Sequence, residues 1–245
     1  MFPFKDNLRC KLFPLATVAI IVLNCLAFVV ETIALQNSHD NSFLTHYTLV
    51  PASFVHAFVS ANHALMGWAI VTIFTSMFLH GGLMHIVGNM VFLFVFGPAV
   101  ENRLGRARFV YFYLAAGIAA ALAQVASGPA SQVPTLGASG AIAGVLGAYL
   151  IFWPKAEITI LIPPLFAPAR MRAVWFLIAW FVMQLYPVAV AYLLGSDGEK
   201  GGVAYFEHIG GFLLGLVVAI VVRIFWPKTD VCYVRTACPC PSNAD

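Results

Sequence analysis

Residues 138–153 read ASGAIAGVLGAYLIFW. The run is apolar enough for a membrane interior, yet at about 1.5 Å per residue it falls short of the roughly 30 Å of hydrocarbon that a spanning helix crosses. Such a helix has to start inside the membrane profile or be shielded by its neighbours. Its glycines supply the means. Gly137, Gly140, Gly144 and Gly147 recur at three- and four-residue spacing, and small residues on one face let a second helix approach closely. Ser139 stands at the beginning of this helix.

Working outward, the 245 residues are 61% hydrophobic and 9% charged, with mean hydropathy +0.89. Soluble domains carry about 25% charged residues. This composition excludes disorder, a collagen-like fibre, a nucleic-acid-binding tail and a small disulfide scaffold. It predicts an all-α polytopic membrane protein with spans near 12–34, 82–100, 108–127, 138–153, 173–194 and 204–226. Lys5, Arg9 and Lys11 precede the first span, Arg103, Arg106 and Arg108 follow the second, Lys155, Arg170 and Arg172 follow the fourth, and Arg223, Lys228 and Arg235 lie at or after the end of the sixth. Only Lys200 falls on the other side, so the positive-inside rule places both termini in the cytoplasm. The chain then divides into a cytoplasmic N-terminal segment (1–11), a six-helix membrane domain (12–226) and a cytoplasmic cysteine-containing tail (227–245). The first apolar run is longer than a signal-peptide core and lacks a small-residue cleavage pattern, which makes it a retained span.

Two connecting segments are themselves apolar. Residues 35–81 carry aromatic and apolar residues, Tyr47 and Trp68 among them, and are expected to form short helices lying partly in the interface. Residues 154–172 are interrupted by prolines and are read as a hydrophobic cytoplasmic loop against the bilayer. The five cysteines are odd in number and follow no scaffold spacing, so no disulfide framework is expected. The tail containing Cys232, Cys238 and Cys240 reads as a dispensable polar extension, with metal binding or oxidation as the alternative. No inverted repeat points to a transporter.

Polar residues at membrane depth are costly and therefore mark function. His85 and Asn89 are four apart, on one face of the second span, with His80 at its mouth. Glu207 and His208 open the sixth span, ahead of Gly211 and Gly215 in a GxxxG pattern. By the predicted orientation His85, Ser139 and His208 share one level in the outer third of the bilayer. Ser139 with His208 has the chemistry of a nucleophile and its general base, and His85, Asn89 and the amides around Ser139 are suited to hold an oxyanion. Glu207 is a poor orienter of His208, because successive helical residues point about 100° apart. Singly, each of these residues also reads as packing or as an interhelical hydrogen bond; their common depth is what favours a site. His80, His85 and His208 are the set from which a three-histidine metal site could be drawn, but no HExxH motif accompanies them. No metal or other cofactor is expected.

The motifs HGGLMHIVGN (80–89), GASG (137–140) and HIGGFLLG (208–215), in this order, resemble the rhomboid intramembrane serine proteases. The resemblance covers about 12–226. It implies a six-helix rhomboid-like bundle with a membrane-embedded first loop and hydrolysis at the transmembrane segment of single-span substrate proteins. Ser139 would be the nucleophile, His208 the base, and His85, Asn89 and the Ser139 amide the oxyanion site. Glu101 and Arg103 resemble the family's structural polar pair, and Gly137, Gly140, Gly144, Gly211 and Gly215 its packing glycines. Span five and loop 195–203 resemble its lateral gate and cap, and the partners implied are transmembrane substrates and membrane lipid, with no nucleic acid. Ala143 departs from the pattern: some members carry an aromatic there against the catalytic histidine, so an aromatic from span six or loop five is expected in its place. The alternative is an inactive rhomboid-like protein that binds transmembrane clients. Cytoplasmic termini and a short N-terminus favour a bacterial inner membrane.

Overall fold

The computed structural model describes residues 2–37, 42–162, 167–194, 204–227 and 232–234. Strands β1 (Phe2–Asp6) and β2 (Leu8–Cys10) lead into α1 (Leu15–Asn37). Three short helices follow, α2 (Ser42–Tyr47), α3 (Pro51–Val59) and α4 (His63–Ser76), then α5 (Leu83–Leu104), α6 (Arg106–Ser127) and α7 (Ser139–Phe152). A hairpin, β3 (Glu157–Ile162) and β4 (Ala167–Arg172), precedes α8 (Ala173–Leu194), α9 (Tyr205–Phe225) and β5 (Cys232–Val234). All six expected spans are helices. Among the described residues α1, α5, α6, α8 and α9 are long and apolar enough to cross a membrane, and α7, at 14 residues, is the short one. The segment read as interfacial helices forms α2, α3 and α4.

Helix α7 is the axis of the bundle, with every residue from Gly140 to Tyr149 buried. Its glycines set how closely α9 approaches. A Cβ on Gly211 would strike the Gly140 carbonyl oxygen, one on Gly215 the Gly144 carbonyl oxygen, and one on Gly147 the Phe212 carbonyl oxygen. Helix α6 closes the other side with alanines: a Cβ on Gly140 would lie 2.5 Å from that of Ala120, and one on Gly144 2.5 Å from that of Ala116. This backbone-to-backbone packing is what small residues permit between apolar helices, where burial from water supplies no drive.

Strand β1 pairs antiparallel with β3, and β3 with β4, in a small sheet at the end of the bundle opposite Ser139. The loop expected over 154–172 is therefore a hairpin. Ile158 and Ile160 are buried and alternate with the more exposed Glu157, Thr159 and Leu161, the period of two that a half-buried strand requires. Pro163 and Pro164, which rule out a helix, fall between the strands and outside the described residues. The Tyr149 hydroxyl donates to Asp6 Oδ2 at 2.8 Å, joining β1 to the lower end of α7. Burial pushes the Asp6 carboxyl above the usual carboxylate range, against the opposing effect of that hydrogen bond.

The cysteines correct the expectation of no disulfide. Strand β2 pairs with β5 in the register Cys10↔Cys232, and the two sulfurs are bonded. Cys25 is free and exposed, while Cys238 and Cys240 lie outside the described residues, as does loop 195–203.

Candidate functional site

Ser139 is the first residue of α7, and Ala138 before it supplies no side-chain cap. The opening N–H groups of a helix have no intrahelical partners, so those at Ser139 and Gly140 are available to an anion. The chain reaches this point through Gly137, whose φ of +128° is a conformation that side chains rarely adopt. The Gly137 N–H donates to the Ser76 carbonyl at 2.8 Å. Two residues earlier, Thr135 and Leu49 exchange backbone hydrogen bonds. The α2–α4 segment thus fixes the turn that presents Ser139.

A cavity of about 390 Å³ opens here, lined by Ser139, His208, His85 and Asn89 together with Gly81, Gln124, Thr135 and Glu207. Three sequence-distant helices and the α7 turn therefore meet at one hollow, and α7 is buried from the residue after Ser139 onward, as far as Tyr149. In this resting geometry Ser139 Oγ makes no hydrogen bond to a described residue; such bonds often tighten only once substrate is bound.

His85 and Asn89 pack against the Gly137 turn: a Cβ on Gly137 would lie 2.8 Å from His85 Nε2 and 3.6 Å from Asn89 Nδ2. The Gly81 N–H donates to His85 Nδ1 at 3.4 Å. With Nδ1 accepting, the neutral ring carries its proton on Nε2, the nitrogen facing the turn. Asn89 Nδ2 is buried and has no partner among the described residues. Two donors therefore converge on the turn that carries Ser139. His80 stands behind them: its ring is 5.2 Å from that of His85, and its backbone N–H donates to Glu31 Oε2 at 2.9 Å.

His208 Nδ1 lies 2.8 Å from Gln184 Oε1 on α8, and its ring is 5.7 Å from that of Trp180, one turn earlier. The aromatic neighbour expected from span six or loop five comes instead from span five. Ala143 is fully buried inside the bundle, where α7 is enclosed by its neighbours. Glu207 lines the cavity without bonding His208. Sequence reasoning missed Gln184 and Trp180. The signal was present as a lone amide in an apolar span, four residues after a tryptophan.

Glu101 and Arg103 do not pair with each other. Glu101 receives the N-terminus of α1, while Arg103 donates to the Trp226 carbonyl at the end of α9 at 2.6 Å and lies over the Phe152 ring.

A family model described as "Rhomboid domain" matches residues 67–225, a stretch running from α4 to the end of α9. Among curated proteins, the chain is 45% identical over 76 residues to Rhomboid protease GluP of Bacillus subtilis, covering 31% of this chain and 14% of that protein. It is 25% identical over 230 residues to Rhomboid protein 1, mitochondrial, of Saccharomyces cerevisiae, covering 83% of this chain and 63% of that one. It is 31% identical over 148 residues to the human Presenilin-associated rhomboid-like protein, mitochondrial, covering 58% and 35%. The chain spans less than two thirds of the length of each. With the matched domain enclosing the glycine-packed helices and Ser139, His208, His85 and Asn89 at the cavity, this chain belongs to the rhomboid family.

Proposed function

We propose that the protein is an intramembrane serine endopeptidase that cleaves a peptide bond in or near the transmembrane segment of membrane-protein substrates. The observation that carries this reading is the gathering of Ser139, His208, His85 and Asn89 around one cavity at the recessed end of α7. Packing alone does not call for a hydroxyl, an imidazole and two amide or imidazole donors at a single hollow among apolar helices. The protease names of relatives such as GluP agree with it.

In this mechanism an unwound stretch of the substrate brings a carbonyl carbon to Ser139 Oγ. His208 removes the hydroxyl proton as the oxygen attacks, giving a tetrahedral intermediate. The negative oxygen is held by His85 Nε2–H, Asn89 Nδ2–H and the Ser139 N–H, donors already in place before charge develops. His208 then delivers its proton to the departing amine, leaving an acyl-enzyme. Water entering from the cavity mouth, activated by the same imidazole, hydrolyses the ester and restores Ser139. The burial of α7 beyond Ser139 keeps water at the site and out of the bundle.

The family relationship and the placement of twelve of the thirteen Lys and Arg in the segments that the positive-inside rule assigns to one side also support an integral membrane protein with cytoplasmic termini, acting on single-span proteins. Treatment of the purified protein with a fluorophosphonate, followed by peptide mass analysis, tests the nucleophile. The expected adduct is on Ser139, lost in His208→Ala. A protein that retains transmembrane peptides without cleavage, and takes up no label at Ser139, would be the client-binding relative instead.

A further inference from the structure

We infer that Gln184 is a positioning residue that sets the tautomer and orientation of His208, so that α8 takes part in arming the base. This rests on the proposed serine-protease reading and supplies the third member that the Ser139–His208 pair lacks.

The argument is one of donors and acceptors. Gln184 Nε2 donates to the Trp180 carbonyl at 3.0 Å, and a carbonyl oxygen can only accept. That bond fixes which way the amide faces, which leaves Oε1 directed at His208 Nδ1, 2.8 Å away. An amide oxygen also only accepts, so Nδ1 must carry the ring proton and Nε2 keeps its lone pair. A base that takes a proton at Nε2 needs that tautomer. Trp180 contributes twice, through its carbonyl to the amide and through its indole beside the imidazole, with ring centroids 5.7 Å apart and planes tilted by 42°.

The environment holds the arrangement together. Gln184 is 7% exposed, although α8 leaves Val182, Met183, Leu185 and Tyr186 well exposed around it. The Phe181 ring stacks on that of Phe212, centroids 4.4 Å apart, and Trp180 lies 6.0 Å from the same ring. Pro187 follows Gln184 by three residues and removes the N–H that would bond the Met183 carbonyl, so the turn carrying Gln184 is the point where α8 bends most easily. A displacement of α8 away from α9 would take the acceptor from Nδ1 and the tautomer would no longer be fixed.

The test combines kinetics with nitrogen NMR of histidine-labelled protein at a pH where His208 is neutral, its signals assigned by their loss in His208→Ala. In wild type, Nδ1 is expected to be the protonated nitrogen. Gln184→Met, close in volume but with only a weak thioether acceptor, should show the mixed or opposite tautomer and lose about 10- to 100-fold in kcat with KM within about twofold. Gln184→Glu, which still accepts, should restore the Nδ1–H tautomer and bring kcat to within about fivefold of wild type. Wild-type His208 protonated on Nε2, or Gln184→Met with unchanged tautomer and kcat, would overturn the assignment. If wild type cleaves no substrate, the protease reading fails, and the NMR comparison still decides whether Gln184 sets the ring.

Discussion

Glu101 on α5 holds Thr17 on α1 by two hydrogen bonds of 2.7 Å, one from the Thr17 N–H and one from its hydroxyl, both to Oε2. Its other oxygen accepts from the Ala16 N–H at 3.0 Å. One carboxylate therefore satisfies the open donors at the start of a membrane-spanning helix and complements the positive end of its dipole. Glu101→Gln loses the charge and turns an acceptor into a donor facing N–H groups. Its thermal unfolding in detergent should show a loss of about 1–3 kcal/mol, with substrate binding and labelling of Ser139 retained at low temperature. Unchanged stability would contradict this role.

Gly211 and Gly140 define a second dependence. A methyl on Gly211 would collide with the Gly140 carbonyl oxygen, one residue beyond Ser139, so Gly211→Ala must push α9 from α7 and part His208 from Ser139. Gly88 on α5 has open space around its Cβ position, and Gly88→Ala should stay within about 0.5 kcal/mol of wild type. Activity of Gly211→Ala should fall at least about 100-fold, as expected when reacting groups are misplaced by about an ångström. Equal activity of the two variants would show that the close approach does not position the site.

The oxyanion donors lead to a kinetic expectation. Asn89→Ala removes one preorganised donor and should lower kcat about 100- to 1,000-fold with little change in KM. His85→Ala should behave similarly. Removing both should cost less than the product of the single losses, because the two share one oxygen. A KM effect with unchanged kcat would assign them to ground-state binding.

Cys10 and Cys232, 222 residues apart in sequence, join the two ends of the described chain. Disulfides are rare in reducing compartments. In the proposed orientation, with cytoplasmic termini, the pair is expected as thiols in living cells and as the disulfide after aerobic purification. Alkylation of intact cells during rapid quenching, followed by peptide mass analysis, reads this directly. A bond already present in quenched cells would place this face on an oxidising side and reverse the predicted orientation.

What could be read from the residues, and what could not, follows from the range of the interactions. The glycine spacing of α7 and the GxxxG of α9 are periodic along single helices, and the structure uses them against each other as that spacing implies. His85, Asn89, Ser139 and His208 stood out because polar groups in apolar spans are conspicuous, and they do line one cavity. Glu101 and Arg103 could not be apportioned from sequence. Two residues apart on a helix they face different ways, and each serves the end of a different helix. Strands β2 and β5 are three residues each and separated by the whole bundle, too short for alternation to show, so the Cys10–Cys232 pairing was hidden. Gln184 was legible as a lone amide among apolar residues, but its partner became visible only when α8 was seen against α9.

The most direct test of the central claim is cleavage of a single-span test protein by purified wild-type, Ser139→Ala and His208→Ala proteins in liposomes, with the product masses recorded. The account predicts that wild type alone cuts, at one bond in or near the membrane segment, while both variants remain folded and inactive. Full cleavage by the Ser139→Ala protein, or no cleavage by wild type across several helix-breaking substrates, would contradict it.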